Sequence, residues 1–72
     1  MNITEIRKQL PKGAGIEIAK MSGVNYDTVQ RFLRGTETKH DLVIMENTAK
    51  FLKDYKDKKA TAIQELQAVA SA

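Results

Sequence analysis

From Asn25 to Arg34 the sequence NYDTVQRFLR sets seven polar side chains around three apolar ones. The polar set is Asn25, Tyr26, Asp27, Thr28, Gln30, Arg31 and Arg34; the apolar set is Val29, Phe32 and Leu33. Every polar type has a partner on a nucleic acid. An arginine grips guanine O6 and N7, or a phosphate, with parallel N–H donors. An amide such as Gln30 matches an adenine edge, and a carboxylate such as Asp27 accepts from the cytosine amino group. The hydroxyl of Tyr26 reaches a base or a phosphate, while Thr28 and Gln30 suit phosphate or rim contacts. A merely solvated helix face is usually filled with Lys, Glu and Ala. Tyr and Gln beside two arginines form a different surface.

The same residues also have plainer uses. Asp27 and Arg31 stand at i, i+4, the spacing of an ion pair on a helix surface. Asp27 falls in the first turn of its helix, where a carboxylate meets the positive end of the helix dipole. Tyr26 could pack over Arg31, and Lys12 and Lys39, which flank the stretch, suit either a DNA backbone or water. The charge distribution suits a polyanion, although taken alone it fits an ordinary solvated domain better. The net charge is +3, and residues 1–40 carry all of it. There Arg7, Lys8, Lys12, Lys20, Arg31, Arg34 and Lys39 outnumber Glu5, Glu17, Asp27 and Glu37, whereas residues 41–72 hold five of each sign. A local basic face is the footprint of nucleic-acid binding.

These side chains need a scaffold, and the spacing of apolar residues and breakers predicts an all-α one of four to five helices. Ile3, Ile6 and Leu10 make one stripe of a helix over 3–10, capped by Asn2 with Glu5 at the capping-box position. Pro11 stops it, and PKGAG is a loop with two glycines. A second helix starts at Gly15 or Ile16, buries Ile18, Ala19 and Ser22, and ends at Gly23, which suits a left-handed C-cap. Val24 is a buried hinge. Asn25 caps a third helix, with Thr28 three residues on, that runs to Arg34 before Gly35. TETKHD is a polar connection, with His40 on the surface near the start of the next helix. From Asp41 no breaker occurs. Leu42, Met45, Ala49, Leu52, Lys56, Lys59, Ile63, Leu66 and Ala70 follow a heptad register with two lysines at its middle. One helix over 41–70 is favoured; the alternative is a break near Lys58 with Thr61 and Gln64 opening a last helix. Phe51 and Tyr55 suit core or dimer contacts, and KDYKDKK reads as a solvated face.

Ala19 is small enough for another helix to cross close by, Gly23 supplies the turn, and Val24, Val29 and Phe32 plug the angle. That is the logic of a helix-turn-helix. The stretch IAKMSGVNYDTVQRFLRG resembles the helix-turn-helix of the lactose-repressor family, down to Ala-x-x-x-Gly-Val-x-Tyr-x-Thr-Val-x-Arg. In that family the positions matching Tyr26, Asp27 and Arg31 contact bases. The layout over about residues 3–56 looks more like the lambda-repressor-like (Cro/XRE-type) domains of bacteria and phages. The chain departs from these patterns at Asp27, at Ser22 and at PKGAG.

The resemblance implies a DNA-binding domain over 1–56, with the motif at about 15–34 and the recognition helix at about 25–34. A helical extension over 57–72 would follow. It implies a small bacterial or phage transcriptional regulator, repressor-like, that binds double-stranded DNA as a homodimer through its C-terminal helix. The alternative is a protein-interaction module, such as an antitoxin or a phage structural or accessory subunit. Catalysis is not expected: one histidine, no cysteine, and serines only at 22 and 71 assemble no nucleophile with a base. No cofactor, metal or small-molecule ligand is expected either. Met1–Lys12 lacks the apolar run of a signal peptide. No stretch approaches a membrane span, so a cytoplasmic location is expected.

Overall fold

A computed structural model of the chain describes residues 2–72. It contains four helices and no strand among those residues: α1 (Ile3–Gln9), α2 (Ala14–Ser22), α3 (Tyr26–Leu33) and α4 (Asp41–Ala70). The protein is all-α. The three short helices gather on the first half of α4, and the second half projects beyond them, giving extents of 51 × 23 × 17 Å. Among the described residues no helix is long and apolar enough to cross a membrane.

Each helix boundary has a local cause. Asn2 Oδ1 accepts from the backbone N–H of Thr4 (3.1 Å) and of Glu5 (3.3 Å), which caps α1. Glu5 does not complete a capping box; its carboxylate lies 3.7 Å from Lys8 Nζ instead. Leu10 has the extended backbone (φ −79°, ψ 135°) that a following proline imposes. α2 begins at Ala14, so Gly15 lies inside the helix and not in the loop expected from PKGAG.

At the other end of α2, Gly23 adopts φ +67°, ψ 28°. Its N–H donates to Lys20 O, and the N–H of Val24 donates to Ala19 O at 3.2 Å. These are the two bonds of a Schellman turn, and they reverse the chain in a single residue. Nothing lies within 4 Å of a Cβ built on Gly23, so the backbone angle, not space, demands glycine there. Val24 then packs against the core. Asn25 Oδ1 accepts from Asp27 N at 2.8 Å and opens α3, which ends at Leu33 with Arg34 as its C-cap.

The TETKHD connection is more than a polar spacer. Asp41 Oδ1 accepts from Thr38 N (2.9 Å) and from Thr38 Oγ1 (2.7 Å), while His40 N donates back to Thr38 Oγ1 (3.1 Å). These bonds tie Thr38 to Asp41 just ahead of α4, whose N-cap residue, His40, makes no side-chain capping bond. From there α4 is one helix to Ala70, so the break near Lys58 does not occur. Thr61 starts no new helix; its hydroxyl donates to Asp57 O, one turn back, at 3.1 Å. Extending an anchored helix fixes one residue per hydrogen bond and needs no new nucleus.

The core is small. Ile18, Val29 and Ile44 are fully buried, one each from α2, α3 and α4, with Ala14, Ala19, Phe32 and Leu33 around them. Ile3, Leu10, Val24, Val43 and Phe51 close its edge. The stripe that α4 turns inward is Ile44, Thr48, Phe51 and Tyr55, with Phe51 and Tyr55 stacked at 6.5 Å. The heptad stripe beginning at Leu42 lies roughly a quarter turn away, at 100° per residue. Leu42 is 70% exposed. Both stripes are apolar at helical spacing, so only packing distinguishes them.

Thr48 is buried and its hydroxyl has no hydrogen-bond partner. A buried unmade hydrogen bond destabilises, whereas an apolar group of the same shape does not. Thr48→Val is therefore expected to stabilise the fold by about 1 kcal/mol. Thermal unfolding should show a melting temperature raised by about 4–8 °C.

Candidate nucleic-acid interface

The register of α3 follows from what it buries. Val29, Phe32 and Leu33 are held in the core, so the opposite face of the helix must point out. At its apex stand Asp27, Arg31 and Arg34, all exposed. Asn25 and Tyr26 are exposed as well, while Thr28 and Gln30 are half-buried on the two flanks. All seven polar residues singled out in the sequence lie on this face or its edges, five of them exposed and Thr28 and Gln30 half-buried.

Within that face the structure makes three distinctions. First, Arg31 Nε lies 3.5 Å from Asp27 Oδ2, with both side chains more than half exposed. Such a pair contributes little to stability, since water screens it. Second, Tyr26 and Gln30 lean toward the start of α2 rather than over Arg31. A methyl group on Gly15 would fall 2.6 Å from Gln30 Nε2 and 3.3 Å from Tyr26 Cε1. Gly15 thus permits a close approach of α2 to the two side chains. Third, Thr28 and Arg31 border an open depression of about 550 Å³, whose far wall is Glu37, Thr38, Lys39 and His40.

The third feature extends the surface beyond the motif. Lys39 and Arg31 bring two cations to one hollow, with Glu37 as the opposing charge. The linear pattern places Lys39 merely nearby. The segment is tied to α3 by the bond from Thr36 N to Arg31 O (3.0 Å) and to the start of α4 by the Thr38–Asp41 bonds, and between them Lys39 lines the same depression as Arg31. The Thr-x-x-Asp spacing carried the signal for the second tie; nothing in the sequence points to Glu37 or His40 as neighbours of Arg31. On the other flank α2 starts at Gly13 without a side-chain cap, directly after exposed Lys12. Uncapped N–H groups at a helix start favour an anion.

Among the described residues no three His, Cys, Asp or Glu side chains converge on a point that could hold a metal ion. Comparison with protein-family models, curated proteins and solved structures finds no match to this chain. The arrangement must therefore be read from its own chemistry: a convex, hydrogen-bonding helix face with cationic shoulders.

The contact at Gly15 can be tested by a double-mutant cycle. Alanine at a helical glycine normally stabilises by about 0.5–1 kcal/mol. Gly15→Ala alone is expected to lose that gain, because the new methyl displaces Gln30. In a Gln30→Ala background the same change should recover it. Denaturant melts of the four variants check this; equal effects in both backgrounds would show that Gln30 does not pack on Gly15.

Proposed function

We propose that this chain binds double-stranded DNA sequence-specifically, with α2, the Gly23 turn and α3 acting as a helix-turn-helix. The observation that carries the reading is the outward face of α3. Asp27, Arg31 and Arg34 project exposed from the side opposite Val29 and Phe32, with Asn25 and Tyr26 exposed at the helix start and Gln30 half-buried on the flank beside Gly15. A helix that presents such side chains on a convex ridge fits the major groove, where base edges carry a distinct donor and acceptor pattern. Tyr26, Asp27, Gln30 and Arg31 are the base-edge readers. Thr28, Arg34, Lys12, Lys39 and the uncapped start of α2 contact phosphates and set the register. The resemblance to repressor motifs extends the proposal to a repressor-like transcriptional regulator of a bacterium or phage, acting in the cytoplasm.

Asp27 does two jobs in this scheme. Unbound, it steadies Arg31 and favours the start of α3. Bound, it accepts from a cytosine amino group while Arg31 moves onto the neighbouring guanine.

Selection of bound sequences from a random duplex pool tests the reading, and an enriched motif is expected. Affinity should fall about 10³-fold between about 50 and 200 mM salt, given about six phosphate contacts. No binding at the lower concentration would overturn DNA recognition and leave a protein-interaction module as the reading.

Two substitutions on α3 should fail in different ways. Val29→Ala removes fully buried methyl groups and is expected to cost about 1–3 kcal/mol of stability, read from melting. Arg31→Ala should leave melting almost unchanged. It should weaken specific binding by about 1–3 kcal/mol and relax the preference at one base pair. If Arg31→Ala unfolds the domain while binding per folded molecule is unaltered, α3 does not read DNA.

A further inference from the structure

The apolar seam of α4 that the core leaves outside is interrupted by Lys56 and Lys59 and resumes beyond them. Its first half, Met45, Ala49 and Leu52, joins Ile3 and Ile6 of α1 and the edge of Phe32 to line a groove of about 190 Å³. Its second half, Ile63, Leu66 and Ala70, is exposed, Leu66 to 69% and Ile63 to 46%, and none of the three belongs to the core among the described residues. A helix that keeps a large apolar stripe in water beside a groove of matching character has an unfilled partner position. The size pattern of the two halves points to what fills it.

We infer that two copies of this chain pair through α4 in antiparallel register, the distal half of each helix seated in the α1–α4 groove of the other. One register brings the seam from Met45 to Ala70 together and leaves Leu42 outside it. Ile63 of one copy lies opposite Leu52 of the other, Leu66 opposite Ala49, and Ala70 opposite Met45. Each large side chain except the central Ile–Leu pair meets an alanine, so knobs have holes to enter. The same register sets Lys56 opposite Lys59 at the centre, and the structure already turns both aside. Lys56 Nζ donates to Gln9 Oε1 at 2.7 Å, and Lys59 Nζ sits 6.0 Å from the centre of the Tyr55 ring. A parallel pair would instead stack Lys56 on Lys56 and Ala49 on Ala49, leaving Leu66 without a small partner. The antiparallel contact is self-complementary, and a twofold axis closes it as a dimer. It stands or falls independently of the DNA reading, since no residue of α3's outer face takes part.

The chain has no cysteine, so introduced ones report the register directly. Full-length chains carrying either Ala49→Cys or Leu66→Cys are mixed and mildly oxidised. The mixture is expected to form a covalent heterodimer, because the two positions face each other. Leu66→Cys alone should form no cross-link: its two copies lie about 25 Å apart along the axis, at 1.5 Å per residue. A disulfide needs Cα atoms within about 7 Å. Sedimentation should show the unmodified chain as a dimer and Leu66→Lys as a monomer with unchanged helicity, since Leu66 supports nothing within its own chain. Self-cross-linking of Leu66→Cys, a monomeric unmodified chain, or a dimeric Leu66→Lys variant would each overturn the proposal.

Discussion

The backbone reversal at Gly23 sets the direction of everything that follows it. One residue in the left-handed conformation, tied by bonds to Ala19 and Lys20, ends α2 and lets Val24 drop onto the core. α3 must then cross α2 with Val29 against Ile18, and both side chains become fully buried. Because a helix has only one face to bury, this crossing also decides which side chains of α3 meet the solvent. A side chain larger than glycine at position 23 would strain that reversal even though space is open around it. The outward face of α3 is in this sense a product of the turn, not of any interaction among the residues that make it up.

The thin core explains the division of labour along α4. Only Ile44 and Thr48 of its thirty residues are buried, because three short helices can cover only the first few turns. A chain of this size has too little apolar surface to enclose more. What remains outside is a helix with good local propensity but half of its seam unmatched. Ordinary helix energetics keep it continuous, since extension from an anchored stem avoids the cost of nucleation. They say nothing of what lies against it, and that is where association with a second copy enters as a proposal.

Electrostatics contributes shape rather than stability. The ion pairs Glu5–Lys8, Glu17–Lys20, Asp27–Arg31 and Asp54–Lys58 are all largely exposed. Pairs of that kind add little to folding. The Asp27–Arg31 pair lies on the outer face of α3, 3.5 Å between Nε and Oδ2. The bonds between Thr38 and Asp41 constrain the backbone of the segment whose Lys39 lines the same open depression as Arg31.

Most of the frame was legible in the residues themselves. Asn2 and Asn25 cap their helices, Gly23 closes α2, and Val29, Phe32 and Leu33 turn inward, because each of these depends on local chemistry and on helical period. The outward set on α3 follows from the same period. Long-range choices were not legible. The sequence holds two apolar stripes on α4, and only packing against α2 and α3 selects Ile44 and Thr48 for the core over Leu42 and Met45. Gly15 reads as loop punctuation, yet it lies in a helix as the seat for Gln30 and Tyr26, residues more than ten positions away. The continuity of α4 through Lys58 could be favoured but not decided from spacing, because a cap and a mid-helix threonine look alike until the hydroxyl's partner is seen. Local hydrogen bonds and periodicity are written in neighbouring residues. Which of two equivalent faces is buried depends on the shape of what arrives from elsewhere in the chain.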